Sequence, residues 1–201
     1  MKLSELGGIV DIPTLEDKEW KRFRIFEEGI LSIQTTGSSI DGIRLVNDGT
    51  ATVPYITRSD ASNGIARFVS ESNYDYGSDD GGCITVGLDT QTAFWQSHKF
   101  VTGQNIQVIT GKWLNEFSAM FLIPLLRGQM AAKFNWGGNG ATLGRMKKLN
   151  VMLPVNDSGE PDYEYMEQYA KNMMIRKYRQ YIAYLERELT EIERERELMA
   201  R

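Results

Sequence analysis

Ile175-Arg176-Lys177-Tyr178-Arg179-Gln180-Tyr181-Ile182-Ala183-Tyr184-Leu185-Glu186-Arg187-Glu188-Leu189-Thr190-Glu191-Ile192 is the stretch that decides the fold. Ile175, Tyr178, Ile182, Leu185, Leu189 and Ile192 recur at alternating steps of three and four, the a/d rhythm by which helices pair in coiled coils. Glu186, Arg187, Glu188, Glu191, Glu193, Arg194, Glu195 and Arg196 flank that stripe and favour water. Residues 162–199 hold neither Gly nor Pro, so nothing in the chain interrupts the helix. At 1.5 Å per residue, about 36 residues make a rod of roughly 55 Å. That is more than the rest of the chain needs for its own core, so the stripe calls for a partner, and its six residues are the expected dimerisation contacts. The competing arrangement is an amphipathic helix folded back on its own domain.

Upstream of the rod the rules change. Leu153-Pro154-Val155-Asn156-Asp157-Ser158-Gly159-Glu160-Pro161-Asp162 is a punctuated turn, in which Pro161 suits the entry to a helix and Asp162 can cap its exposed N–H groups. Residues 30–156 are rich in Gly, Thr, Asn and β-branched side chains. Thr52-Val53-Pro54-Tyr55-Ile56-Thr57, Gly82-Cys83-Ile84-Thr85-Val86 and Asn105-Ile106-Gln107-Val108-Ile109 are short apolar runs between turn formers, the pattern of strands. Residues 114–130 place Phe117, Phe121 and Leu125 at helical spacing, which predicts a helix packed on the sheet, with Pro124 breaking or kinking it. The reading is an α+β chain: a strand-rich domain over residues 1–155 and a long coiled-coil-type helix over residues 156–201.

With 201 residues, the chain has room for one ordinary domain and an appendage. One cysteine, Cys83, and one histidine, His98, exclude an intramolecular disulfide framework and any Cys/His zinc site. The first ten residues lack a cationic segment followed by a long apolar one, and no run approaches 18 apolar residues. A cytoplasmic protein without a membrane segment is expected.

Charge is placed unevenly. Acidic residues number 27 in 201, so the 67 residues from 90 to 156 would hold about nine if evenly spread; they hold one, Glu116. The same window carries Lys99, Lys112, Arg127, Lys133, Arg145, Lys147 and Lys148. Phosphate backbones attract such cations and repel carboxylates, which makes nucleic acid the expected partner of one cationic face. Lys99, Lys133, Arg145, Lys147 and Lys148 are the expected phosphate contacts. Gln91, Gln96, Asn135 and Asn139 carry amides able to read base edges, Trp136 lies beside them, and Arg58, Ser59, Asn63 and Arg67 form a second cluster after the first strand-like run.

Catalytic patterns are missing from the sequence. Cys83 sits in an apolar strand-like run, where a thiol is ordinarily buried and inert, and His98 has no partners for a triad. Gly137-Gly138-Asn139-Gly140 is not followed by the Lys-Ser or Lys-Thr of a phosphate loop. Pro161-Asp162 lacks the downstream Glu-x-Lys of a nuclease. The chain is therefore expected to be no enzyme and to hold neither metal nor cofactor.

Several motifs, in order, resemble one half of the specificity subunit of type I restriction-modification systems: Trp20-Lys21-Arg22-Phe23, Thr36-Gly37-Ser38-Ser39, Val53-Pro54-Tyr55-Ile56-Thr57-Arg58-Ser59-Asp60 with Gly49 upstream, Phe94-Trp95-Gln96 with Lys99-Phe100, and Leu143 with Leu153-Pro154 before the long helix. The resemblance covers most of the chain. It implies a target-recognition domain for double-stranded DNA followed by a spacer helix, with methyl transfer, and cleavage where a restriction subunit is present, left to partner subunits. It departs from the full-length pattern of two recognition domains and two helices, since only one of each is found here. Two copies pairing their stripes antiparallel would restore the pattern and read a divided, palindromic site. Direct docking of the helix on a methyltransferase subunit is compatible with this. A coiled-coil adaptor, or a regulatory or anti-restriction half-subunit binding protein partners, is the alternative.

Overall fold

The computed structural model describes residues 7–134 and 140–199. The strands are β1 (Trp20–Phe23), β2 (Ser32–Thr35), β3 (Val53–Ile56), β4 (Ile65–Val69), β5 (Cys83–Gly87), β6 (Thr92–Gln96), β7 (Val101–Thr102), β8 (Ile106–Thr110) and β9 (Val151–Pro154). Helices α1 (Glu116–Lys133) and α2 (Leu143–Met146) lie between β8 and β9, and α3 (Tyr163–Met199) closes the chain. The α+β class and the long terminal helix follow the sequence reading.

The head is layered. An antiparallel sheet in the order β2-β8-β5-β6 forms the middle, and a sheet in the order β4-β3-β7 covers one of its faces. Alternation along β5 shows why two layers are needed. Ile84 and Val86 pack with Ile109 and with Leu122, Leu126 and Met130 of α1, whereas Cys83 packs with Ile56, Phe100 and Val108 on the side of the second sheet. With both faces covered, every residue of β5 is buried. This is why Gly82-Cys83-Ile84-Thr85-Val86 reads as a nearly continuous apolar run.

Helix α1 begins on a capping box: Asn115 Oδ1 accepts from the Phe117 and Ser118 N–H groups, and Ser118 Oγ accepts from the Asn115 N–H. Of the break or kink expected at Pro124, the break does not occur: the helix continues through it to Lys133. A proline inside a helix costs about 3 kcal/mol. Burying Leu122, Leu126 and Met130 completely against the sheet returns about 2 kcal/mol for each, which outweighs that cost.

Helix α3 starts where Asp162 Oδ1 accepts from the Tyr165 N–H, while its other oxygen pairs with Lys18 Nζ at 2.6 Å. Phe121 of α1 meets Tyr165 and Tyr169 edge to face and stacks on Trp20 of β1. Pairing of β1 with β9 brings the chain's early and late segments together beneath this cluster. Asn172, itself buried, exchanges two hydrogen bonds with the backbone of Val10. The root of α3 therefore belongs to the head's core. Ile175 is 1% exposed and so is taken up by its own head, not left for a partner; the open stripe begins at Tyr178.

Truncating Leu126 to Ala should cost about 3 kcal/mol and lower the melting temperature by several degrees, because its cavity opens between α1 and the sheet. Leu189→Ala, on the exposed part of α3, should leave urea unfolding of the head unchanged.

Candidate nucleic-acid interface

The parallel pair β3 and β7 ends beside a tight 3-10 turn at Gly42–Arg44, and the three together enclose a polar groove of about 230 Å³. Asp41, Tyr55, Thr57, Arg58 and Gln104 line it. Its floor depends on a missing side chain: a Cβ on Gly103 would lie 2.9 Å from the Tyr55 hydroxyl. That hydroxyl donates to the Ile40 carbonyl at 2.8 Å. The Arg67 guanidinium reaches over the Tyr55 ring, 6.0 Å from its centre, and lies beside Gly42.

Neighbouring loops are tied to this groove. Arg58 forms an ion pair with Asp89, which also accepts from Asn105 Nδ2 at 3.1 Å. The Arg58 hydrogen bond, and after it that of Asn105, holds the Asp89 carboxyl below the usual carboxylate range. Ser59 Oγ accepts from the Ala61 N–H at 3.1 Å, closing a turn. Asn63, in the left-handed region at φ 57°, donates from Nδ2 to the Trp95 carbonyl at 2.9 Å. Gln96 is 4% exposed, and its Nε2 donates to the Asn63 carbonyl and to Thr85 Oγ1. Its amide braces the loop from below. Gln91 is held by a bond from its Nε2 to the Phe134 carbonyl.

The other candidates lie elsewhere. The Lys99 ammonium sits 4.3 Å over the Tyr74 ring, just before β7, whereas Arg58 lies just after β3. Since β3 and β7 run parallel, these two cations occupy opposite ends of one sheet. Lys147 borders a hollow with Phe26, Glu27 and Ser32 next to β2, at the far edge of the middle sheet from β6. Lys148 is exposed beside it. Lys133 ends α1, and Arg145 Nη1 donates to the Gly140 carbonyl at 2.7 Å. Asn135, Trp136 and Asn139 lie outside the described residues.

The single cationic face expected from residues 90–156 is thus not what the fold builds. That window runs through β6 and β8 of the middle sheet, β7 of the three-stranded sheet, α1 and β9, so its residues are divided among different layers, and an acid from outside it pairs with one of its cations: Arg127 meets Asp60 at 2.7 Å. Acid-poor sequence is not acid-poor surface. Gln104, not singled out by the sequence pattern, does line the groove with Arg58, and Arg67, paired with Tyr55 across β3 and β4, lies beside Gly42 at its rim; Arg44 follows in the same turn.

Two apolar surfaces complete the picture. A groove of about 500 Å³ runs between α1 and the root of α3, bordered by Trp20, Met120, Pro124, Tyr169 and Met173. Beyond it, Tyr178, Ile182, Leu185, Leu189 and Ile192 stand open along α3, Leu189 at 59% exposure.

The family model of the type I restriction modification DNA specificity domain matches residues 17–186, taking in β1 to β9 and the first part of the projecting helix. The chain belongs to this family. The specificity subunit of the type II restriction enzyme BgcI from Heyndrickxia coagulans is 29% identical over 172 residues, covering 83% of this chain and 47% of that protein. Among solved structures, the S subunit of a type I restriction-modification system from M. genitalium matches with a TM-score of 0.58 at 11% identity, over 87% of this chain and 43% of its own. A chain from a structure of type I restriction-modification complex assembly matches with a TM-score of 0.53 at 15% identity, over 92% and 44%. The chain spans about half the length of these relatives, and at such identities the two structures speak for the fold.

In this specificity domain the lone thiol has no reactive setting. Burial first, then the carboxylates of Asp79 and Asp80, push Cys83 up to about 12. Among the described residues, no group of three His, Cys, Asp or Glu could hold a metal ion, and no helix is long and apolar enough to cross a membrane. A thiol-specific reagent at neutral pH should leave Cys83 unmodified in the folded protein and label it fully in denaturant. Rapid labelling of the native protein would contradict the buried placement.

Proposed function

We propose that this chain is the sequence-reading half of a restriction-modification specificity subunit. The head binds double-stranded DNA, α3 joins it to a second copy and to a methyltransferase subunit, and a restriction subunit can add to the same assembly. Chemistry belongs to those partners, in the cytoplasm. The observation that carries this reading is the family match across residues 17–186, which treats head and projecting helix as one unit.

The charge along α3 supports an antiparallel pair. Residues 171–184 hold Lys171, Arg176, Lys177 and Arg179 and no acid, whereas residues 185–199 hold six Glu against three Arg. Parallel helices would set acidic tip against acidic tip. Antiparallel helices set the basic root of each against the acidic tip of the other. A two-fold pair carries one head at each end, which suits a divided palindromic site. The adaptor reading would use the same stripe and the groove between α1 and α3, but gives the polar groove of the head no role.

Mass measurement of the purified chain, alone and with a co-expressed methyltransferase subunit, tests this. Two copies are expected at micromolar concentration. Leu185→Glu combined with Leu189→Glu should give a monomer whose head melts unchanged, because both side chains are exposed in a single copy. A monomeric parent chain with no methyltransferase bound would overturn the reading.

A further inference from the structure

We propose that Ile43 is a wedge that enters the DNA, with Arg44, Arg58 and Arg67 on the flanking backbone, so that the Gly42–Arg44 turn is the point at which the head deforms and reads its target. This rests on the DNA-binding reading above and adds to it a place and a mechanism. Single exposed apolar side chains are common and need no explanation by themselves. Ile43 differs in its degree of exposure, its mounting and its surroundings.

Ile43 is 90% exposed. The loop that carries it is nonetheless fixed on both sides. Asp41 caps the turn, its carboxylate accepting from the Ile43 N–H and its carbonyl from the Arg44 N–H at 2.8 Å. Leu45 packs against the core of the three-stranded sheet. The Val46 N–H donates to Asn73 Oδ1 at 2.9 Å, and Asn73 Nδ2 donates back to the Val46 carbonyl at 2.8 Å. The Asp48 N–H donates to Ser70 Oγ at 2.8 Å. An apolar side chain held in water on a braced turn is organised in advance for contact.

The surroundings identify the contact as nucleic acid. Arg44 is the next residue, the Arg67 guanidinium lies beside Gly42, and Arg58 shares the groove with Asp41 and Gly42. Asp41, which lines the groove, is engaged in the cap, and Asp89 is engaged in its pair with Arg58 and Asn105. Thr57 and Gln104 line the groove with hydroxyl and amide groups suited to base edges. An apolar wedge between cations is the combination by which proteins unstack a base step while gripping its phosphates.

The test selects duplexes from a randomised synthetic pool with the parent chain, then measures the enriched sequence with Ile43→Ala and Arg44→Ala. The same duplex carrying 2-aminopurine reports unstacking. The expected result is about tenfold weaker binding for each variant, and a rise in 2-aminopurine fluorescence with the parent that Ile43→Ala abolishes while its thermal melting stays unchanged. Enrichment with unaltered affinity and fluorescence in both variants would overturn the wedge and leave DNA binding standing. No enrichment by the parent chain would overturn the DNA-binding reading and the wedge with it. Loss of methyltransferase capture in Ile43→Ala, with DNA binding intact, would assign the turn to a protein partner and overturn the wedge.

Discussion

Helix α1 is held between two surfaces, and the molecule is organised by that constraint. One side carries Leu122, Leu126 and Met130 into the middle sheet, and the other presents Phe121 to Tyr165 and Tyr169 of α3. The first contact makes the head. The second fixes the root of α3, so the helix leaves the head from a packed base. Because the root is anchored by aromatic packing, the capping carboxylate of Asp162 and the bonds of Asn172, the outer turns can carry a stripe that the head never covers.

That stripe is an unfinished interface. Apolar side chains from Tyr178 to Ile192 repeat on one face of a helix surrounded by water, and burying them takes a surface that the head does not provide. The bipolar charge of α3 adds direction to this demand. On the proposed reading, recognition of DNA and assembly are separated in space, the polar groove of the head serving one and the helix the other.

The periodic features were legible in sequence. The a/d rhythm gave the helix and its exposed stripe, the short β-branched runs matched β3, β5 and β8, and Pro161-Asp162 marked the start of α3. Features set by three-dimensional packing were not. Ile175 continues the heptad in sequence, but the head covers it. Pro124 reads as a breaker, yet burial on both sides of α1 outweighs the missing hydrogen bond. Gln96 has the side chain of a base reader and serves as a brace, since its strand position points it toward Thr85. The acid-poor window dissolved because its residues are shared among layers, whereas Arg58, which follows β3, and Arg67 of β4, apart in sequence, are brought to the surroundings of one groove by the β3 pairings. Ile43 carries no periodic signal at all.

Hydrogen exchange along α3 tests the central claim most directly, namely that the root is held by the head and the outer turns by a partner. Residues 163–175 should be protected at every protein concentration, while residues 178–192 should be protected in the assembled protein and exchange rapidly on dilution to the single chain. Equal protection of both segments in a verified single chain, or rapid exchange of the outer segment in the assembly, would contradict the account.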